Sequence, residues 1–158
     1  MKVTELQIGD YVRLKRTNEI VGVFEIDGDR NVINNEPDGY CSEKNIAVDD
    51  IEPITLTPEI LEKNGFKKYE KDYHNEYVCE KCDETSYYEI VICWKDSYDN
   101  GALDAFNHVQ WDEGWKIDII SEGSYSKGWC KTIYLHELQH ALRLCGLDEL
   151  ADNFKLEE

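Results

Sequence analysis

Apolar and polar residues alternate from the start of the chain. Tyr11, Arg13 and Lys15 alternate with Val12 and Leu14, the period of two that a half-buried strand requires, and Gly9-Asp10 ahead of them is a turn signal. A second strand fits Ile20–Ile26, followed by a turn at Asp27-Gly28-Asp29. Further short strands fit Asn31–Asn34, Asn45–Val48 and Ile51–Ile54. Short strands packed this densely predict a small, strongly bent β-barrel of the SH3-like type over residues 1–55.

The pattern then changes. Thr57-Pro58-Glu59 is a helix start: threonine caps, proline takes the first helical position, and the glutamate meets the positive end of the helix dipole. Asn64-Gly65 closes this short helix, and Phe66 plugs back into the core. Residues 69–122 are β-rich. Strands are expected at Tyr87–Trp94, Ala105–Trp111 and Trp115–Ile120, with turns at Asp99-Asn100-Gly101 and Asp112-Glu113-Gly114. Ile133–Cys145 predicts the second helix, with Thr132 as N-cap and Gly146 as left-handed terminator. One more turn fits Leu147–Asn153, and a short edge strand fits Phe154–Leu156. The fold class is therefore α+β: the small barrel, then an α+β region over residues 56–158 in which an antiparallel sheet is packed by the C-terminal helix.

Composition narrows the functional classes. The 158 residues carry 34 acids against 17 lysines and arginines, a formal charge of −17. Such a surface repels nucleic acid and anionic membranes, so neither is an expected partner. No secretory signal precedes Met1–Glu5 and no apolar run reaches the length of a membrane span. The cytoplasm is the expected location, and the six cysteines are expected as thiols there.

His136-Glu137-Leu138-Gln139-His140 matches the H-E-x-x-H pattern, in which histidines four apart on one helix face ligate zinc and the glutamate activates the bound water. A catalytic zinc also needs a third protein ligand. The metzincin extension puts glycine and histidine at positions held here by Arg143 and Gly146, and Asp148, Glu149 and Asp152 lack a persuasive spacing. At about 100° per residue, Tyr134, Leu135, Leu138, Ala141, Leu142 and Cys145 share one face. His136 and His140 fall opposite, beside Gln139 and Arg143, as a solvated stripe next to a cation. Cys79-Glu80-Lys81-Cys82 is half a zinc knuckle or a redox dithiol; the knuckle requires His74, Cys41, Cys93 or Cys130 to fold close, the dithiol a strand before a helix, and ordinary thiols in a hairpin loop are the simpler expectation. Cys93 and Cys145 are expected in the core, and Trp94, Trp111, Trp115 and Trp129 as sheet and core residues rather than a stacking platform.

Three stretches together carry a resemblance: Glu5–Val12, Ile51–Phe66 and Tyr134–Leu142. In these the chain resembles a family of small uncharacterised proteins from Bacteroides-like gut bacteria and their phages and prophages. The glutamate and second histidine positions of that family often hold other residues, such as glutamine and asparagine. The resemblance therefore implies a structural helix and supplies no catalytic residues. The expected function is a non-enzymatic, phage- or mobile-element-associated accessory protein, without a cofactor, that acts on an unidentified protein partner. The rival is a minimal zinc-dependent metallopeptidase with His136 and His140 as ligands and Glu137 as base, or a zinc held through Cys79 and Cys82. A third reading is an acidic decoy that imitates DNA.

Overall fold

A computed structural model of the chain describes residues 1–35, 45–70, 75–82, 87–95, 114–121 and 129–156. The architecture is α+β, with three antiparallel sheets and a C-terminal helix. The chain divides into two units, one of residues 1–56 and 134–158 and one of residues 57–133.

Among the described residues of the first unit six short strands form: β1 (Tyr11–Leu14), β2 (Ile20–Gly22), β3 (Glu25–Asp27), β4 (Val32–Asn34), β5 (Asn45–Ala47) and β6 (Ile51–Pro53). They make two three-stranded sheets, ordered β2-β1-β6 and β3-β4-β5. The expected strand over Ile20–Ile26 is thus two strands. The reason lies in adjacent amides: the Val23 N–H donates to Asp10 O (2.8 Å) on the first sheet's side, and the Phe24 N–H to Asn34 O (2.8 Å) on the second's. The chain changes sheets at that peptide. Leu6, Val12, Val21, Val23, Ile33, Val48 and Ile51 from both sheets form one buried cluster. Each such side chain stabilises the fold by about 1.5–3 kcal/mol through burial.

The same unit contains the C-terminal helices α2 (Leu135–Leu144) and α3 (Asp148–Asp152), a grouping that differs from the expected division at residue 55. The Leu135 N–H donates to Ile54 O (2.8 Å), and Thr55 and Tyr134 form an antiparallel bridge. Leu135, Leu138 and Leu142 are fully buried, as the helical wheel requires, and α2 lies against β1. The helix begins two residues later than expected, because Thr132 pairs with Trp115 in a strand. Tyr134 occupies the N-cap instead, its N–H bonded to Glu137 Oε2 at 3.1 Å. Gly146, at φ +76°, ends the helix; its N–H donates to Arg143 O and the Leu147 N–H to Leu142 O. Phe154 is buried, but the edge strand expected at 154–156 does not form.

In the second unit α1 (Pro58–Lys63) starts as its sequence dictates, with Thr57 Oγ1 accepting from the Ile60 N–H at 3.4 Å. Gly65 takes φ +86°, and Leu61 and Phe66 are buried. β7 (Lys67–Glu70), β8 (Asn75–Cys82), β9 (Tyr87–Lys95), β10 (Gly114–Ser121) and β11 (Trp129–Thr132) form a five-stranded meander in chain order. Register aligns Tyr77, Ile92 and Ile117 across three strands, and Cys79, Ile90 and Ile119 beside them. All six are buried. On the other face Lys116 and Asp118 form an ion pair at 2.8 Å. β10 pairs directly with β9 along its whole length. The strand expected at 105–111, the turn at 99–101, the first two residues of the turn expected at 112–114, and His74 and Cys41 lie outside the described residues, while Gly114 begins β10 instead of ending that turn. No helix among the described residues is long and apolar enough to cross a membrane.

Candidate functional site

The polar face of α2 is where the structure departs most from the sequence reading. It is not a solvated stripe. His136 is 4% exposed and Gln139 0%, and the side chains of His140 and Arg143 are 21% and 13% exposed. Gln139, His140 and Arg143 dock on the Gly9-Asp10-Tyr11 segment, more than a hundred residues away in sequence.

Gly9 makes the docking possible. It sits at φ +90° with its N–H on Val23 O (2.7 Å), and a Cβ there would lie 2.7 Å from Arg143 Nη2. The turn it forms delivers Asp10 to a fully buried position. Asp10 Oδ2 accepts from the Gln7 N–H (2.7 Å) and contacts His140 Nε2 at 2.8 Å. Asp10 Oδ1 accepts from Arg143 Nη1 at 2.7 Å. Arg143 also donates from Nε and Nη2 to Asp152 Oδ1, at 3.0 and 2.8 Å. Burial works against the guanidinium charge, but the hydrogen bonds to Asp10 and Asp152 outweigh it and raise the Arg143 pKa further.

Gln139 fills the gap between the three segments. Its Nε2 donates to Gly9 O (3.0 Å) and Ala151 O (2.7 Å), and its Oε1 accepts from the Tyr11 N–H (3.1 Å). One amide thereby satisfies three backbone groups, of which Ala151 O is buried and the other two are part-buried. The Tyr11 hydroxyl donates to Asp152 O at 2.9 Å, and burial followed by the Asp152 charge raises its pKa.

Beside this lock lies a cleft of about 470 Å³, lined among the described residues by Met1, Glu5, Pro53, Tyr134, His136, Glu137 and His140. The His136 ring stacks on Tyr134 (5.8 Å, 11° between planes) and meets the His140 ring edge-on at 5.7 Å. His136 Nδ1 is buried without a hydrogen-bond partner. Burial lowers the His136 pKa below the ordinary 6.5, against the opposing fields of Asp10, Glu137 and Glu5 and with that of His140. The imidazole is therefore neutral at neutral pH.

His136, Glu137 and His140 thus share one cleft but not one metal geometry. In His140 the Nε2 nitrogen is already bonded to the buried Asp10. Glu137 caps the helix, and Asp152 is held by Arg143. No three His, Cys, Asp or Glu side chains among the described residues converge to hold a metal ion. Cys79 and Cys82 are not in a hairpin loop: they stand in one continuous strand, β8, opposite Ile90 and Tyr87. Cys79 and Cys93 are buried thiols, whereas Cys145 is the partly exposed C-cap residue of α2.

Asp10, Gln139 and Gly9 are the residues that sequence reasoning misses. Gly9-Asp10 gives a turn signal alone, and nothing local to it marks a carboxylate that pairs 133 positions later. No protein-family profile, curated protein or solved structure matches the chain.

Proposed function

We propose that this is a non-enzymatic binding protein that acts through contact with a protein partner, as an accessory protein of a phage or mobile element does. The observation that carries the reading is the employment of the H-E-x-x-H residues in the scaffold. His140 holds the buried Asp10 and Glu137 caps α2. A hydrolase would need both groups turned toward a metal and its water. The net charge of −17 further selects a basic partner, since long-range fields steer oppositely charged surfaces together. We read the two sheets of residues 1–56 as a small SH3-like barrel, a fold suited to presenting a binding surface; the shared core of Val12, Val21, Ile33 and Ile51 supports this.

One observation favours the zinc peptidase as a second reading: His136, Glu137 and His140 line the same cleft. Zinc stoichiometry separates the two. Untagged protein dialysed against zinc and then buffer is expected to retain well under one ion per chain. One tightly held zinc, lost in His136→Ala/His140→Ala, overturns the binding-protein reading. Cross-linking in extracts of the source cell is then expected to enrich basic proteins, with capture weakening as salt rises.

A further inference from the structure

The junction that ends α1 has a chemistry of its own. Asparagine followed by glycine reacts with its own backbone, because a residue without a Cβ leaves its amide nitrogen open to attack the preceding side-chain amide. Gly65 is exposed, and a Cβ built there would meet no atom within 4 Å beyond its chain neighbours. Nothing therefore packs over the junction. The folded cap instead holds the reacting groups apart. Asn64 Nδ2, the leaving group, donates to Ile60 O at 2.8 Å. The Gly65 N–H, the nucleophile, donates to Glu62 O at 3.1 Å, and the Phe66 N–H to Leu61 O at 3.1 Å. Ring closure needs the Gly65 nitrogen beside Asn64 Cγ, a large rotation about ψ from the 18° that Asn64 has in the cap. Phe66, buried just beyond, resists that rotation. The restraint is only as strong as α1, which has six residues and a Thr57 cap bond of 3.4 Å. A helix so short is marginal by itself, so its turns open together.

We infer that Asn64 is a covalent modification site, which deamidates spontaneously when α1 opens. The Gly65 nitrogen bonds to Asn64 Cγ and the Cγ–Nδ2 bond breaks; the Gly65 amide proton leaves with Nδ2 as ammonia, and a five-membered succinimide remains. Water then opens the ring. Splitting the new Cγ–N bond leaves aspartate at position 64, and splitting the original peptide bond leaves isoaspartate, with the chain rerouted through the side chain. Water is the only co-reactant, and nothing is oxidised or reduced. Both products prevent α1 from closing as before. Each adds a carboxylate at the end of the helix where the dipole is already negative, and neither has a donor for Ile60 O. Isoaspartate also lengthens the backbone by one carbon between Leu61 and Phe66, two buried anchors. The site is independent of any partner that the protein binds.

The test incubates the full chain at mildly alkaline pH in water enriched in oxygen-18, once in native buffer and once in concentrated guanidinium chloride. Peptide mass spectrometry then reads the marked oxygen at position 64, scored separately from Asn100-Gly101. Asn64 is expected to convert in both, at least about tenfold more slowly in the native chain. Thr57→Ala, which removes the cap, is expected to speed the native reaction about fivefold and leave the denatured rate unchanged. Thr57→Ser keeps an accepting hydroxyl and is expected to react at the wild-type rate. Asn64→Gln, whose longer side chain closes a ring poorly, is expected to take up no marked oxygen at that position. Equal native and denatured rates overturn the inference, as does a Thr57→Ala rate no faster than that of Thr57→Ser. An Asn64 that takes up no marked oxygen even when denatured removes the site outright.

Discussion

Replacing Asp10 by alanine is the sharpest test of the lock between β1 and α2. The change deletes a carboxylate with no solvent exposure and three partners: the Gln7 N–H, His140 Nε2 and Arg143 Nη1. Removing one member of a buried ion pair costs about 3–5 kcal/mol, mostly because the surviving charge stays where water cannot compensate it. Arg143 keeps Asp152 and 13% side-chain exposure, so the lower end applies, about 3 kcal/mol. With a urea dependence of about 2 kcal/mol per molar, the midpoint of the first unit falls by about 1.5 M. The chain carries its own control: Trp94, Trp111, Trp115 and Trp129 all lie within residues 57–133, so tryptophan fluorescence follows the second unit. Hydrogen exchange at Val12, Leu14 and Leu142 follows the first, and protection there should drop roughly a hundredfold. A double-mutant cycle with Arg143→Ala should return a coupling of about 2 kcal/mol. If Asp10→Ala costs less than about 1 kcal/mol, the network is no stronger than an exposed ion pair and the lock is refuted.

Other perturbations address the rest of the site. Gln139→Ala leaves Gly9 O, Ala151 O and the Tyr11 N–H without partners; a loss of about 3 kcal/mol and faster proteolysis within 147–156 are expected, and undiminished protease resistance would count against it. Gly9→Ala combines a φ of +90° with a 2.7 Å approach to Arg143 Nη2, so thermal unfolding should show a loss of about 2 kcal/mol or more. Because burial depresses the His136 pKa below 6.5, the unfolded chain takes up more protons than the folded one as pH falls through that value; stability present above pH 6.5 is lost below it. Subtracting the denaturation profile of His136→Gln from that of the wild type isolates this slope from the His140–Asp10 pair, and a flat difference would contradict it. Glu137→Ala removes the cap on the Tyr134 N–H and should cost about 1 kcal/mol, whereas Glu137→Gln, which retains an acceptor, should cost little by the same measurement.

Local features are legible in the sequence and long-range ones are opaque. Strand periodicity locates β1, β4, β5 and β6 to within a residue, and Thr57-Pro58 fixes the start of α1, because each depends on neighbours within a few positions. β8 escapes because Asn75–Cys82 interrupts its apolar positions with charged ones, and the C-x-x-C spacing invites a loop reading. The polar face of α2 is misjudged for a deeper reason. A helical wheel separates apolar from polar residues, and the polar side is ordinarily assigned to water. Here it meets backbone groups and a carboxylate presented by residues 9–11, and that complementarity exists only after the two segments meet. His136, Glu137 and His140 are all found from the motif; what they do depends on Asp10, which no spacing rule connects to them.

The first unit is built from both ends of the described chain, and Ile54-Thr55 and Tyr134-Leu135 lie side by side where the intervening residues leave and return. During synthesis this imposes an order. Residues 57–133 emerge complete and can pair their meander while β1 still waits for α2. Until Arg143 and His140 leave the ribosome, Asp10 has neither of its side-chain partners. A ribosome paused between residues 56 and 134 would therefore hold an N-terminal segment whose core lacks its lid, open to chaperones and proteases. Closing that loop from an unfolded insert costs entropy that grows with the logarithm of its length. The Thr55–Tyr134 bridge closes it, so the first unit is complete only after every residue between them has been made.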